Sequence, residues 1–234
     1  MTQSNRPCRD VIDDYTSIQQ AVFAQVARQP HAVAIQERER KYTYSDLYQL
    51  SCTIADRLQP LAIPSEAPVG VYLQRDVRLP AALLAILSVQ GAYLPLDPKH
   101  PSDRTAQILS VAQAERVITT QALAAQLPDS VDCVLVDNLA IGQRPITPVA
   151  HHSMSQLAYF IFTSGSTGVP KGVMIEQGNA MALLQWGVRQ YTEANLAQVA
   201  AGTSITFDLS VFELFVPLIQ GGLCAFAGRQ SVHW

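Results

Sequence analysis

Residues 163–172, which read TSGSTGVPKG, combine four hydroxyl side chains, three glycines and one lysine in a single segment. Apolar stretches at 157–162 and 173–175 flank it and predict a β-strand on either side. In such a turn, glycines allow backbone N–H groups to converge on an anion, while hydroxyls and a lysine add donors and positive charge. The pattern predicts a phosphate-binding loop. Its candidate contacts are Thr163, Ser164, Gly165, Ser166, Thr167, Gly168 and Lys171.

Two common phosphate motifs are excluded by their spacing. A Walker loop needs Ser or Thr directly after Gly-Lys, whereas Pro170 precedes Lys171 and Gly172 follows it. The dinucleotide fingerprint needs G-x-G-x-x-G at the start of a helix, and this segment contains no such triplet. A flexible Gly/Ser hairpin is the alternative, but a linker has no use for the Pro-Lys-Gly ending.

A second candidate for chemistry is the segment 207–213, which reads FDLSVFE. Asp208 stands between an apolar approach and the apolar start of a helix at 211–215. An aspartate at that point is most simply a helix N-cap, and Ser210 is a second candidate for the same position.

Ser45 is a candidate cap for the second predicted helix. The elements that would position the candidate residues alternate between strand and helix along the chain. This order predicts an α/β fold of layered, mostly parallel sheets flanked by helices. Predicted helices cover about residues 18–29, 45–58, 79–89, 102–112, 120–126 and 179–191. Predicted strands cover about residues 32–35, 69–73, 92–94, 116–119, 133–136, 157–162, 173–175 and 198–200.

Composition excludes several classes of function. With 234 residues, of which 48% are hydrophobic, the chain can bury a sizeable core. The net charge of −3 comes from interspersed residues, so no basic stripe predicts a nucleic-acid surface. The N-terminus is polar, and the most apolar stretch, 79–89, is about half the length that spans a bilayer. We therefore expect a soluble, cytoplasmic protein without a nucleic-acid or membrane partner.

The cysteines and histidines give no metal signature. No C-x-x-C pair occurs, so the cysteines are expected to be small buried side chains of a reducing cytosol, neither metal ligands nor disulfides. The adjacent His151 and His152 adjoin no second cluster of ligands and are expected in a surface loop. The four cysteines are Cys8, Cys52, Cys133 and Cys224.

The segment 163–172 closely resembles the phosphate loop of the adenylate-forming superfamily, the AMP-dependent synthetases and ligases. Other stretches resemble, in the same order, the amino-acid-adenylating domains of nonribosomal peptide synthetases. These stretches are residues 30–35 with 42–47, residues 89–98 with 101–104, and residues 207–213. One departure is Gln177, which stands where that family usually has a histidine.

The resemblance implies a reaction and its substrates. The loop would hold the β- and γ-phosphates of ATP, accompanied by Mg²⁺, while a substrate carboxylate attacks the α-phosphate to give an acyl-adenylate and pyrophosphate. Asp208 would pair with the α-ammonium group of an amino acid, a cation that offsets the cost of a carboxylate in a pocket. Leu209 and Phe212 would line the side-chain pocket and favour a smallish or apolar amino acid, although both positions could equally be ordinary core. The partner would be a peptidyl carrier domain.

The expected organisation is a polar tail at residues 1–14 and, over 15–234, an incomplete large N-terminal subdomain of such an enzyme. The family's later adenine, ribose and catalytic-lysine motifs do not occur in the sequence, so no catalytic residue is assigned and the polypeptide alone is expected to be inactive. Three alternatives stay open. One is a D-alanine-type ligase, another is an acyl- or aryl-acid-CoA ligase with no need for Asp208, and the third is a non-catalytic remnant that binds nucleotide weakly.

Overall fold

The computed structural model describes residues 12–146, 152–163 and 170–226. Short 3-10 turns occur at Ile12–Asp14 and Gln59–Leu61. The helices are α1 (Ile18–Arg28), α2 (Tyr44–Leu58), α3 (Arg78–Ser88), α4 (Ser102–Ala112), α5 (Gln121–Ala124), α6 (Gln177–Gln190), α7 (Glu193–Leu196) and α8 (Leu209–Gln220). The strands are β1 (Val33–Glu37), β2 (Arg40–Thr43), β3 (Pro68–Tyr72), β4 (Ala92–Leu96), β5 (Arg116–Thr119), β6 (Asp132–Leu135), β7 (Leu157–Thr163), β8 (Lys171–Glu176), β9 (Gln198–Ala200) and β10 (Leu223–Phe226).

The described strands form two sheets. The larger sheet has the order β6-β5-β3-β4-β7-β8 and is parallel except for the antiparallel pair β7/β8. The smaller sheet has the order β2-β1-β10-β9 and is parallel except for the pair β1/β2. The prediction of an α/β fold with layered, mostly parallel sheets is confirmed.

The direction of chain travel reverses inside the larger sheet. The chain passes from β3 to its neighbour β4 through α3, and then crosses back to β5, on the other side of β3, through α4. Alternate residues of each strand pack on opposite faces: Tyr93 joins the core on the side of α3, whereas Leu94 packs with Ile108 of α4. A reversal of this kind opens a crevice at the carboxyl ends of the strands, where ligands of open α/β sheets bind.

Helices α1, α2, α3, α6 and α8 pack against one another in one apolar core that also takes in side chains from both sheets. Helix α3 lies inside this core, and all of its residues from Leu79 to Leu87 are buried. A helix that is apolar around its whole circumference is stable only when it is covered on all sides. This core fixes α8, and with it the segment that precedes α8, relative to the larger sheet.

The N-cap of α2 is Thr43, so the prediction of Ser45 was wrong. The Thr43 hydroxyl accepts a hydrogen bond from the Asp46 N–H at 3.1 Å, and the Asp46 carboxylate accepts the Thr43 N–H at 2.8 Å. Ser45 lies inside the first turn, and its N–H donates to the Pro30 carbonyl at 2.9 Å. The reciprocal pair satisfies two backbone donors, which is why the helix begins before the serine.

Burial corrects two further expectations. Cys133 is exposed because β6 is an edge strand, while Cys52 is half-buried, and Cys224 is buried as expected; all three are free thiols. His152 is buried, not on the surface, and its Nδ1 lies 3.0 Å from the Gln156 Oε1. Cys8 and His151 lie outside the described residues.

The described residues contain neither a cluster of metal ligands nor a membrane-spanning helix. No group of three His, Cys, Asp or Glu side chains within 12–146, 152–163 and 170–226 is placed to hold a metal ion. In the same part of the chain, no helix has both the length and the apolar character needed to cross a membrane.

Candidate functional site

Strands β7 and β8 form the hairpin that carries the predicted phosphate loop. Thr163, the last residue of β7, pairs with Lys171, the first residue of β8. Directly opposed residues of an antiparallel pair share a face of the sheet, so Thr163 and Lys171 project from the same face. Both residues are exposed, and no described carboxylate forms an ion pair with Lys171. The remaining predicted contacts lie outside the described residues: Ser164, Gly165, Ser166, Thr167 and Gly168.

The glycine that closes the motif has a packing role. Gly172 pairs with Phe162 across the hairpin, and a Cβ built on Gly172 would come within 2.7 Å of the Phe162 ring. Real Cβ atoms do not approach a ring so closely, so the ring can lie over this backbone only because residue 172 has no side chain. The Phe162 ring therefore packs against the end of the hairpin that presents Thr163 and Lys171.

The end of β4 lies beside the start of the predicted loop. Tyr93 of β4 pairs with Tyr159 of β7 in parallel register, and their rings stack with centroids 5.0 Å apart. Asp97 directly follows β4 and Thr163 is the last residue of β7, so the two residues stand at the ends of neighbouring parallel strands. Both residues stand at the carboxyl edge of the larger sheet, beside the crevice that the chain reversal opens.

Asp97 is held ionised by its surroundings. Its Oδ1 accepts the Lys99 N–H at 3.0 Å, and its Oδ2 accepts the Ser204 hydroxyl at 2.6 Å. Burial opposes the charged form, but these two hydrogen bonds and the nearby charges of His100 and Lys99 outweigh it, so the pKa of Asp97 is lowered. The carboxylate thus connects the end of β4 to a segment more than a hundred residues further along the chain.

The segment 201–207, which leads from β9 to Asp208, is anchored on two other sides. Glu213 of α8 accepts from Thr203 with both carboxylate oxygens, the N–H at 2.9 Å and the hydroxyl at 2.6 Å. Arg75, which follows β3, donates to the carbonyls of Ala201, at 3.3 Å, and Gly202. We call residues 201–207 the anchored segment. Its position is set by groups from β3, β4 and α8 together.

Asp208 stands at the N-cap of α8, as one reading of the sequence predicted. It is exposed, and its Oδ1 accepts the Leu209 N–H at 2.8 Å. Ser210 does not cap the helix, because its hydroxyl donates backwards to the carbonyls of Ile205 and Phe207. Burial, and after it the negative charge of Asp208, raises the pKa of Tyr159 to about 12. The charge of Asp208 therefore acts on the Tyr159 hydroxyl, and the pairing of Asp208 with an ammonium group stays a prediction.

The two predicted pocket residues differ in their surroundings. Leu209 is exposed, whereas Phe212, one turn further along α8, is half-buried. The Phe212 ring packs against Tyr191, with centroids 5.6 Å apart, and against Trp186 of α6, at 6.3 Å. Gly187 lies beneath it, where an added Cβ would come within 2.9 Å of the Phe212 ring. The ring is therefore fixed by its neighbours, and the lining role of both residues stays a prediction.

Sequence reasoning missed the residues that hold these groups in place. Asp97, Ser204 and Glu213 lie in or near the quoted stretches, yet nothing local marks them as partners. A polar residue directly after an apolar strand, as Asp97 is after β4, is the one signal that could have found the edge of the crevice. The arrangement offers a cationic hairpin end for an anion and, nearby, an exposed carboxylate for a cation.

Comparison with known proteins gives a consistent result. The model of the family described as AMP-binding enzyme matches residues 22–233. The AMB antimetabolite synthetase AmbB of Pseudomonas aeruginosa is 38% identical over 203 residues, which cover 85% of this chain and 16% of AmbB. The chain thus spans a small part of the length of this relative.

Solved structures share the fold. The AMPPNP-bound form of the nonribosomal peptide synthetase FmoA3 aligns with a TM-score of 0.82 and 26% identity over 98% of this chain and 24% of that one. The N-terminal subdomain of Klebsiella oxytoca NpsA aligns with a TM-score of 0.77 and 22% identity, covering 92% of this chain and 56% of that subdomain chain. At that identity the NpsA match concerns the fold alone.

Proposed function

The chain belongs to the AMP-binding enzyme family, and from this premise we propose that it takes part in activating an amino acid as its aminoacyl-adenylate. One of its structural neighbours is the nonribosomal peptide synthetase FmoA3, which has been solved with AMPPNP bound. The observation that carries the proposal is a pair of neighbouring parallel strands: β7 leads to Thr163 and its partner Lys171, and β4 leads to Asp97, which holds the segment before Asp208.

The charge and exposure of Lys171 support the proposal that a nucleotide binds at the carboxyl edge of the larger sheet. The ammonium group is exposed, stands opposite Thr163 and has no described carboxylate to neutralise it. A compact charge in that place suits the β- and γ-phosphates of ATP and would offset the charge that builds on departing pyrophosphate. Mg²⁺ would accompany ATP as a counter-ion of the phosphates.

The exposed carboxylate of Asp208 supports the proposal that the substrate is an amino acid. This carboxylate is exposed at the head of α8 and near Tyr159, so a substrate ammonium group could reach it. The substrate carboxylate would then attack the α-phosphorus of ATP. A new phosphorus–oxygen bond forms as the bond to pyrophosphate breaks, which gives the aminoacyl-adenylate and pyrophosphate. Leu209 and Phe212 would face the amino-acid side chain, and a peptidyl carrier domain would receive the acyl group as a thioester.

An acyl- or aryl-acid ligase is the competing activity. It would use the same hairpin, but its substrate has no ammonium group to pair with Asp208. Amino-acid-dependent exchange of radiolabelled pyrophosphate into ATP separates the two, when it is measured on an adenylate-forming enzyme that includes this chain as its N-terminal part, because we expect the 234 residues alone to be inactive. We expect amino acids to support exchange and the matching acids without an α-amino group to fail. Equal exchange with both would exclude the amino-acid assignment.

The same assay tests the residues. Lys171→Ala should slow exchange by about a hundredfold, the typical loss when one transition-state donor is removed. Lys41→Ala, an exposed lysine on β2 of the smaller sheet, is the matched control and should exchange at the parental rate. Asp208→Ala should raise the KM for the amino acid by about tenfold or more. Parental kinetics in both test variants would refute the proposed site.

A further inference from the structure

Asp97, Glu213 and Arg75 hold a single short segment from three directions. Asp97 reaches it from the end of β4, Glu213 from the second turn of α8, and Arg75 from the end of β3. Sequence reasoning assigned no role to any of these three residues, although Asp97 and Glu213 lie in stretches that it singled out. Their shared target, the anchored segment 201–207, ends at Asp208.

The contacts are more specific than ordinary loop packing requires. Glu213 uses both of its oxygens on one residue, and Asp97 accepts a hydroxyl at 2.6 Å, a short distance typical of a charged acceptor. Hydrogen bonds to charged groups contribute more than neutral ones, and they fix direction as well as distance. Such contacts leave little freedom in the backbone between Thr203 and the head of α8.

Hydrogen bonds inside the segment extend this constraint to Asp208. The Phe207 N–H donates to the Ser204 carbonyl at 3.0 Å, so the residue held by Asp97 is also one end of a tight turn. The Ser210 hydroxyl closes the other end by donating to the carbonyls of Ile205 and Phe207. Through this chain of contacts, the carboxylate at the end of β4 determines where the backbone of residue 208 lies.

We infer that Asp97 and Glu213 are positioning residues, which hold the anchored segment so that Asp208 presents its carboxylate to the ammonium group of the substrate. The inference rests on the proposed function. Neither residue needs to touch the substrate. Asp97 directly follows β4, whose neighbour β7 ends at Thr163, so it holds the anchored segment from the strand next to the hairpin.

Ser204→Ala in the full-length protein removes the hydroxyl that Asp97 accepts and leaves the carboxylate in place. We expect the KM for the amino acid to rise about tenfold, as for the loss of a hydrogen bond to a charged group. The KM for ATP should stay within about twofold, because the hairpin is untouched. Ser204→Thr keeps the hydroxyl and should restore most of the amino-acid KM. Ser88→Ala, which deletes a hydroxyl bonded to Leu84 at the far end of α3, is the control.

Backbone hydrogen exchange of the anchored segment gives a readout that does not depend on activity. In Ser204→Ala and in Glu213→Gln the amides of residues 203–207 should exchange faster than in the parent, while those of α3 keep their rates. Unchanged exchange in both variants would overturn the inference, whatever the kinetics.

The kinetic measurements distinguish a failure of this inference from a failure of the proposed function. An unchanged amino-acid KM in Ser204→Ala, or an equal rise in both KM values, would overturn the positioning role while the parent still activates its amino acid. A parent that exchanges pyrophosphate with no amino acid would refute the proposed function instead. In that case the anchored segment would no longer be assigned to an amino-acid site. Hydrogen exchange would then show only whether Asp97 and Glu213 immobilise the segment.

Discussion

Gln177 supplies a helix cap from a distant part of the chain, and its removal should destabilise the fold. The residue begins α6 and is 1% exposed. Its Oε1 accepts the N–H of Ile18, the first residue of α1, at 3.1 Å, and its Nε2 donates to Gln19 at 3.5 Å. Ser17 occupies the N-cap of α1, but its hydroxyl makes no capping hydrogen bond to the described first turn.

The magnitude of the loss follows from these contacts. Gln177→Ala leaves the buried Ile18 N–H without its acceptor, which costs about 1–3 kcal/mol. It also removes about one buried methylene, which adds about 0.8 kcal/mol. The sum predicts a loss of roughly 2–4 kcal/mol in the free energy of unfolding.

Equilibrium urea unfolding followed by circular dichroism measures this loss. With a slope of about 3 kcal/mol per molar urea, the midpoint should fall by roughly 1 M. Gln190→Ala, an exposed glutamine at the other end of α6, should change stability by no more than about 0.5 kcal/mol. Gln177→His returns a nitrogen acceptor and should recover part of the loss. An unchanged midpoint in Gln177→Ala, or an equal loss in Gln190→Ala, would refute the capping argument.

Three further predictions concern the site. Gly172→Ala places a Cβ against the Phe162 ring and should lower the urea midpoint by an amount equivalent to about 1–3 kcal/mol; parental stability would show that the ring moves freely. Gly187→Ala should displace the Phe212 ring and change the ranking of amino acids by side-chain size in pyrophosphate exchange, and an unaltered ranking would separate Phe212 from the pocket. The pKa of Asp97 is lowered from 3.8, so its charge stabilises the fold fully above that pH and progressively less as the pH falls through the depressed value. The difference in melting temperature between the parent and Asp97→Asn should therefore shrink in that acid range, and a difference that grows there would contradict the sign.

Local patterns in the sequence were enough to predict the order of elements and the position of the hairpin. The helix Ser102–Ala112 and the strand Arg116–Thr119 have the predicted bounds, because side-chain periodicity and turn residues act within a few positions along the chain. The turn motif likewise predicted an exposed loop over residues 163–171 between two strands, since a glycine-rich segment between two apolar strands favours a hairpin; in the structure Thr163 and Lys171 are the facing ends of those strands. The order of motifs also identified the family.

Only the tertiary structure decided which distant groups meet. Strand β10 was not predicted, because its four residues show no clear alternation and it becomes a strand by pairing between β1 and β9. The contact of Asp97 with Ser204 spans 107 positions, and that of Gln177 with Ile18 spans 159. A hydrogen-bonding side chain has many potential partners in sequence, and the packing of helices between two sheets leaves one within reach. The hairpin of β7 and β8 was therefore predictable from the sequence, whereas the carboxylates that hold the segment before Asp208 were not.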